Sequence, residues 1–181
     1  KDQWLKGAGF DELEGNENPY YQAWPKLVCG AAVDEALYRR SLDWIRDAGA
    51  GPWFLTIETV TSHIPYLDPA TGQMNVEASF RYADRWATWF ERELEQRGFF
   101  EHGVLLITGD HRAMVPIEPG EKERFGIGYS SRVPLVLVDK HRPAAERIDG
   151  LFKQSDLAVS FQHWLGERVA LGKFQASLFE D

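Results

Sequence analysis

Apolar residues recur at helical spacing in two long stretches of the chain, residues 32–48 and 76–97. In the first stretch they are interleaved with charged residues up to Gly49, which is typical of an amphipathic helix and its end. The second stretch is preceded by Asn75, a good N-cap residue, and followed by Gly98, a good residue for the turn after a helix. We predict a helix in each stretch. The buried stripe of the second helix would be Phe80, Ala83, Ala87, Phe90 and Leu94.

Three short apolar segments have the pattern of β-strands: residues 53–60, 103–109 and 133–139. The last two are almost continuously apolar, which predicts strands covered on both faces of a sheet. The segment after the first strand, TSHIPYLDPATGQM, contains two prolines and a glycine and is predicted to be a loop.

A strand, a helix and a second strand with short joints predict a right-handed parallel crossover. The sequence therefore predicts an α/β fold, a layered αβα arrangement with a mostly parallel sheet. Ser155 or Asp156 would begin a last helix that runs through Leu165 and ends at Gly166. We expect a single domain over residues 1–181. Its parts would be an irregular lead-in at 1–30, an α/β core at 31–166 and a tail at 167–181.

The composition narrows the functional classes. The chain has 181 residues, of which 44% are hydrophobic, enough for a sizeable core. Its 20 basic and 28 acidic residues give a net charge of −8, which argues against nucleic acid as a partner. No apolar run approaches the roughly 20 residues of a membrane-spanning helix. The single cysteine, Cys29, excludes an internal disulfide and is expected to be a small buried side chain.

Polar clusters follow two of the predicted strands: Thr61, Ser62 and His63 after the first, and residues 109–112 after the second. Ligands of open parallel α/β sheets bind beyond the carboxyl ends of the strands. Gly109 would let the chain turn so that Asp110 and His111 point at one centre. A carboxylate and an imidazole form half of a site for a divalent metal ion.

Each cluster also has a purely structural interpretation. Taken without context, the Asp110–His111 pair is more simply explained by a carboxylate that caps a loop or orients the imidazole. His63 is compatible with a partly exposed loop histidine, and its neighbour Ser62 is not placed to form a catalytic triad with it.

Four segments together resemble the sulfatase-like branch of the alkaline phosphatase superfamily, in the same order and spacing: FLTIETVTSHIPY, FRYADRWATWFERELEQRGFFEHGVLLITGDHR, RVPLVLVD and KQSDLAVSFQHWLG. Within that branch the closest resemblance is to the phosphoglycerol transferases, the group that contains the lipoteichoic acid synthases. It is good from about Trp53 onward and looser before that. In QSDLAVS, Val159 and Ser160 stand where the family usually has proline and threonine.

The resemblance implies roles for four residues. Asp110 and His111 match the paired metal ligands of the family, and His63 matches a loop histidine that holds the substrate phosphate or sulfate. Arg112 follows the ligand pair where some members have arginine, which implies a contact to the substrate anion. The implied cofactor is a divalent metal ion, manganese first, with zinc, magnesium and calcium as alternatives.

The resemblance also implies what lies outside this sequence. Members of the family carry a nucleophile and further acidic ligands in an N-terminal half that these residues do not match. We therefore expect the chain to be the C-terminal portion of a larger metal-dependent enzyme, inactive or nearly so alone. In the intact enzyme an upstream threonine would attack the phosphodiester of a phosphoglycerol lipid or glycan. The resulting covalent phospho-enzyme would then pass the group to an acceptor hydroxyl.

The resemblance further implies the extracytoplasmic face of a bacterial membrane, with attachment only through upstream segments. The sequence leaves two rival functions open. One is a fragment of a sulfatase or phosphoethanolamine transferase, and the other is a non-catalytic α/β remnant that acts as an interaction module. An exposed sheet edge would favour a homodimer in either case.

Overall fold

A computed structural model describes residues 2–141, 145–148, 152–173 and 175–179 of the chain. The chain forms two compact units, Lys1–His141 and Arg142–Asp181, where the sequence indicated no internal boundary. The first unit contains α1 (Asp2–Gly7), α2 (Asp34–Asp47), α3 (Val76–Gln96), α4 (Glu121–Phe125) and two strands, β1 (Leu105–Thr108) and β2 (Leu135–Val138). The second unit contains α5 (Asp156–Trp164).

The two long helices form where the sequence predicts them. The side chain of Asn75 accepts a hydrogen bond from the backbone N–H of Ala78 at 3.1 Å and so caps α3. At the other end, Gly98 has a φ of 71°, the left-handed conformation that a glycine adopts without strain. Helices α2 and α3 pack through Tyr38 and Phe90, whose stacked rings have centroids 4.9 Å apart.

The buried stripe of α3 differs from the prediction at its first position. Phe90 and Leu94 are buried, but Phe80 is 38% exposed and the fully buried residue is its neighbour Ser79. The reason is helical geometry: eleven residues at roughly 100° each return within about 20° of the starting direction, whereas ten leave a deviation of roughly 80°. Ser79 is eleven positions before Phe90, so it faces the core and Phe80 does not.

The sheet is small, and its arrangement corrects part of the predicted fold. The α/β class is confirmed, but β1 and β2 pair antiparallel, with Leu105 opposite Val138 and Thr108 opposite Leu135. A parallel pair needs a crossover of a dozen or more residues, usually a helix. The segment between β1 and β2 contains only the five-residue α4 and a 3₁₀ turn, Gly126–Ser130, and so lacks the long helix of a usual parallel crossover.

The predicted first strand, residues 53–60, is not a strand in the structure. Its burial nevertheless alternates, since Leu55 and Ile57 are half-buried and their neighbours are exposed. A strand is defined by its ladder, and no described residue pairs with this segment in one. The predicted parallel crossover around α3 is therefore absent from the described residues.

The strands are also less covered than their sequences predict. Ile107 of β1 and Leu135 and Val136 of β2 remain more than a third exposed, although continuous apolar runs are typical of strands buried on both faces. The core instead lies where α2 and α3 meet the inner sides of the strands. Its buried members are Tyr38, Leu42, Phe90, Leu94 and Phe100.

The lead-in is more ordered than expected. It contains α1 and the 3₁₀ turns Pro19–Ala23 and Val28–Gly30, and Tyr21 lies in a second buried cluster together with the start of α2. The sequence predicts a buried Cys29, but this side chain is exposed. Cys29 lies in the second of these turns and has a φ of 56°. No helix in the described part of the chain combines the length and apolarity needed to cross a membrane.

In the second unit, α5 begins near the predicted position. Ser155 is the N-cap residue but makes no side-chain cap bond, and the buried Asp156 accepts a hydrogen bond from the backbone N–H of Lys153 at 2.8 Å. The hydroxyl of Ser160 accepts a hydrogen bond from the backbone N–H of Leu178 at 3.0 Å, which ties the predicted tail to this helix.

Candidate functional site

The candidate site lies immediately beyond the carboxyl end of β1. Gly109 allows a close approach there, since an added Cβ would lie 3.1 Å from the carbonyl oxygen of His111, tighter than an ordinary van der Waals contact. The next two side chains converge, as predicted. Oδ2 of Asp110 and Nε2 of His111 are 3.6 Å apart, and Oδ1 of Asp110 accepts a hydrogen bond from the backbone N–H of His111 at 2.9 Å.

The imidazole of His111 is oriented by the chain itself. Its Nδ1 lies 2.7 Å from the carbonyl oxygen of Arg112. A carbonyl oxygen only accepts hydrogen bonds, so Nδ1 carries the proton and the lone pair of the neutral ring is on Nε2. Metal-binding histidines commonly have this arrangement, in which the second ring nitrogen donates to a carbonyl or carboxylate. The nitrogen that faces Asp110 is thus the one available to a metal ion.

The pair supplies two ligand atoms and no more. Their separation of 3.6 Å allows both to contact one ion at the usual ~2.0–2.2 Å. No third His, Cys, Asp or Glu completes a metal-binding group anywhere in the described residues, and His63 is no exception. The geometry is compatible with both interpretations of the pair, a loop cap and half of a metal site. Oδ1 of Asp110 caps the loop, while Oδ2 faces Nε2 of His111.

Arg112 is held by internal partners. Its Nη2 donates to both carboxylate oxygens of Glu121, at 3.0 and 2.9 Å, and its Nη1 donates to the carbonyl oxygens of Ala113 and Val115 at 3.0 and 3.1 Å. The ion pair is largely buried, with 19% of the Arg112 side chain and 22% of the Glu121 side chain exposed. In this arrangement Arg112 fixes the loop that follows the metal pair. Contact with a substrate anion remains a prediction.

His63 lies in the loop between α2 and α3, next to a cis peptide bond between Ile64 and Pro65. Its side chain is exposed, and Nδ1 is 2.6 Å from the carbonyl oxygen of Ile64. By the same argument as for His111, Nδ1 is the proton donor, so Nε2 is left available to a ligand. Its role in holding phosphate stays a prediction.

A network of buried polar residues lies beneath this loop, and the sequence did not reveal it. Asp34, Thr61 and Ser79 are each at most 1% exposed. Burial, and secondly the negative charge of Asp34, raises the pKa of the Tyr38 hydroxyl. Asp34 stands at the first position of a helix, where an acid is usually explained by the helix dipole. The one signal available was Ser79, a polar residue on the inward face of α3.

Two of the concave regions formed by the described residues lie in the first unit. The smaller, about 310 Å³, adjoins the site and is lined by Arg112, Glu121, Phe125 and Arg132, among others. The guanidinium of Arg132 lies 4.3 Å from the ring centre of Phe125. The larger, about 610 Å³, is lined mainly by α3 and the loop after His63 and contains none of the predicted site residues. Of the two, only the smaller is lined by Arg112, one of the predicted site residues.

An α/β fold with an aspartate and a histidine converging after a strand defines a class of protein, which comparison with known proteins narrows. The family model described as Sulfatase matches residues 2–167, and the chain belongs to this family. It is placed in the sulfatase-like branch of the alkaline phosphatase superfamily, near the lipoteichoic acid synthases, as the sequence segments indicated.

Two curated relatives are lipoteichoic acid synthases. The chain is 26% identical over 157 residues to lipoteichoic acid synthase 1 of Bacillus subtilis, a match that covers 76% of this chain and 24% of that protein. It is 25% identical over 124 residues to the lipoteichoic acid synthase of Staphylococcus saprophyticus, covering 61% of this chain and 19% of that protein. The chain thus spans a quarter or less of the length of these relatives.

One solved structure has a similar fold. It is a protein in the alkaline phosphatase superfamily from Vibrio parahaemolyticus, with a TM-score of 0.70 over 88% of this chain and 39% of the other. At 19% identity this likeness establishes the fold alone. It agrees with an α/β architecture in which the described strands form one small sheet.

Proposed function

We propose that the chain is the C-terminal, metal-binding part of a phosphoglycerol transferase, which acts on phosphodiesters of lipids or glycans. The observation that carries the proposal is the pair Asp110 and His111, whose Oδ2 and Nε2 atoms converge to 3.6 Å with Nδ1 of His111 fixed by a carbonyl. Members of the family generally use a divalent metal ion. Such an ion lowers the pKa of a nucleophilic hydroxyl and offsets charge on the phosphoryl oxygens.

The residues of this chain have distinct parts in that function. Asp110 and His111 would hold the ion, with manganese favoured by the carboxylate ligand and zinc, magnesium or calcium as alternatives. His63, with Nε2 directed away from its own backbone, would donate a hydrogen bond to a phosphate oxygen as an imidazolium. The cavity beside Arg112 and Arg132 has a size suited to the polar group attached to that phosphate.

The remainder of the enzyme belongs to the proposal as well. The nucleophile and the other metal ligands would be upstream of this chain, together with membrane segments on the extracytoplasmic side of a bacterial cell. The reading frame upstream of Lys1 tests this point. A threonine-bearing half-domain preceded by apolar spans would support the transferase, and a frame that begins at Lys1 would favour a non-catalytic remnant.

Manganese titration followed by calorimetry and by electron paramagnetic resonance tests the metal pair. We expect weak binding to the 181-residue chain and a loss of about tenfold or more in affinity for Asp110→Ala and for His111→Ala. Asp84→Asn, which alters an exposed carboxylate on α3, is the matched control and should bind like the wild type. Equal affinities for all four proteins would refute the metal pair.

A second titration separates the transferase from its closest rivals. Glycerol phosphate, phosphoethanolamine and inorganic sulfate are added in turn while the His63 ring resonances are followed by NMR. A shift with glycerol phosphate at lower concentration than with the other two would support the proposed substrate class. A preference for sulfate or phosphoethanolamine would favour a sulfatase or a phosphoethanolamine transferase.

A further inference from the structure

A buried carboxylate holds the start of the loop that carries His63. Asp34, the first residue of α2, is fully buried, and its Oδ1 accepts hydrogen bonds from the backbone N–H groups of Val60 and Thr61, both at 2.9 Å. The amides of Val60 and Thr61 lie three and two residues before His63, respectively. They are drawn to one oxygen atom on a helix that is 27 positions away in sequence from Thr61.

Thr61 is held by α3 as well. The hydroxyl of Ser79 donates to the carbonyl oxygen of Thr61 at 2.5 Å, and the backbone N–H of Asp34 lies 3.4 Å from the Thr61 hydroxyl oxygen. Both Thr61 and Ser79 are at most 1% exposed, so solvent does not compete for these bonds. The loop therefore begins from a point fixed on two helices.

The constraint extends from that point to the imidazole. The backbone N–H of His63 donates to the carbonyl oxygen of Val60 at 3.0 Å, and the carbonyl oxygen of His63 accepts from the N–H of Tyr66 at 2.8 Å. The ring itself is held by Nδ1 against the carbonyl of Ile64. The path from Asp34 to the His63 ring thus runs through hydrogen bonds and the backbone of Val60 and His63, with no long flexible side chain in between.

We propose that Asp34 is a positioning residue for His63 and sets the place at which its Nε2 meets a phosphate oxygen. This inference rests on the proposed function of His63. A buried N–H group that loses its acceptor is costly, so without Asp34 the amides of Val60 and Thr61 would turn toward other partners or water. The loop would move, and His63 with it. Asp34 itself would not touch the substrate.

The test compares three variants of the 181-residue chain. Asp34→Ala removes the acceptor, Asp34→Asn keeps an oxygen at the position of Oδ1, and Leu42→Ala shortens a buried core side chain of the same helix. Inorganic phosphate is titrated while the His63 ring resonances are followed. We expect phosphate affinity to fall about tenfold or more in Asp34→Ala and to recover most of that loss in Asp34→Asn. Leu42→Ala should lower the melting temperature but leave the affinity unchanged.

Hydrogen exchange at the amides of Val60 and Thr61 separates this inference from the proposed function. Failure of the wild type to bind phosphate would refute the substrate role of His63. Exchange at the two amides would still report on their hydrogen bonds to Asp34. Faster exchange at these two amides in Asp34→Ala than in Leu42→Ala, with a shifted His63 resonance, supports positioning. Equal exchange and an unmoved His63 resonance in the two variants would overturn it.

Discussion

Glu121 accepts two hydrogen bonds from Nη2 of Arg112, and this largely buried pair ties α4 to the residue after the metal pair. The carbonyl of the same Arg112 fixes the His111 ring. The ion pair therefore orients His111, the proposed metal ligand, through the backbone of Arg112.

Glu121→Gln should consequently weaken both the fold and the metal site. We predict a fall of about 1–3 kcal/mol in the free energy of unfolding, since the lost partner leaves a largely buried arginine. Manganese affinity should fall about tenfold, as for other residues that orient a metal ligand. Chemical denaturation and calorimetry measure the two effects. Glu123→Gln changes an exposed residue of α4 and serves as the control; equal behaviour of both variants would contradict the prediction.

The Glu14–Arg40 ion pair predicts an acid-dependent contribution to stability. Nε and Nη2 of Arg40 donate to the two oxygens of Glu14 at 2.8 and 2.6 Å, and these hydrogen bonds lower the pKa of Glu14 below its ordinary value of 4.5. A carboxyl group with a lowered pKa stabilises the fold above its unfolded pKa and loses this effect as the pH falls through the folded value.

Glu14→Gln should therefore destabilise the protein at pH 7, by at most about 1 kcal/mol because both side chains are near a third exposed. The difference from wild type should shrink steadily at pH values below 4.5. Thermal unfolding as a function of pH measures it. Glu77→Gln removes a largely exposed pair with Arg81 and should have little effect at any pH. A Glu14→Gln difference that is constant with pH would be the contrary result.

The corrected stripe of α3 predicts unequal effects of two phenylalanines. Phe90→Ala should cost about 3–5 kcal/mol because the ring is buried against Tyr38. Phe80→Ala removes a partly exposed ring that stacks on Tyr66, and should cost about 1.5 kcal/mol or less. Urea denaturation of the two variants decides the matter. Equal losses of unfolding free energy in the two variants would contradict the prediction and indicate that Phe80 belongs to the core.

The uncovered strands predict self-association. In the described part of the chain β1 and β2 pair only with each other, and Ile107 and Val136, opposite one another in the ladder, are both exposed. We propose that a second copy of the chain pairs with an edge of this sheet, since unpaired edges readily add strands. Sedimentation should show a concentration-dependent dimer that Val136→Lys weakens and that Thr88→Lys, on the exposed side of α3, leaves intact. A wild-type monomer at every concentration would refute the dimer.

Local signals accounted for much of this fold. The cap at Asn75, the turn at Gly98 and the apolar period of α3 depend on neighbouring residues, and all three could be identified from sequence. The direction of strand pairing depends on residues far apart in the chain, so an apolar run such as 103–109 did not reveal that its partner would be antiparallel.

In the candidate site, too, contacts between neighbouring residues could be predicted and contacts between distant residues could not. Asp110 and His111 are adjacent, and their convergence beyond a strand could be anticipated from sequence. Glu121 and Asp34 could not, because each acts through a partner nine or more residues away: Glu121 on Arg112, and Asp34 on the amides that precede His63. Single-sequence patterns carry no record of such pairs.

The antiparallel ladder closes the segment that contains Asp110 and His111 at both of its ends. The hydroxyl of Thr108 donates to the carbonyl oxygen of Pro134 at 3.0 Å, so residues 109–133 leave and re-enter the sheet at one closed neck. Such a segment is a cassette: beyond Glu121 its length and composition can change while the ladder keeps its register and Asp110 and His111 stay at one end. Exchanging this cassette between relatives offers a way to alter ligand preference without rebuilding the core.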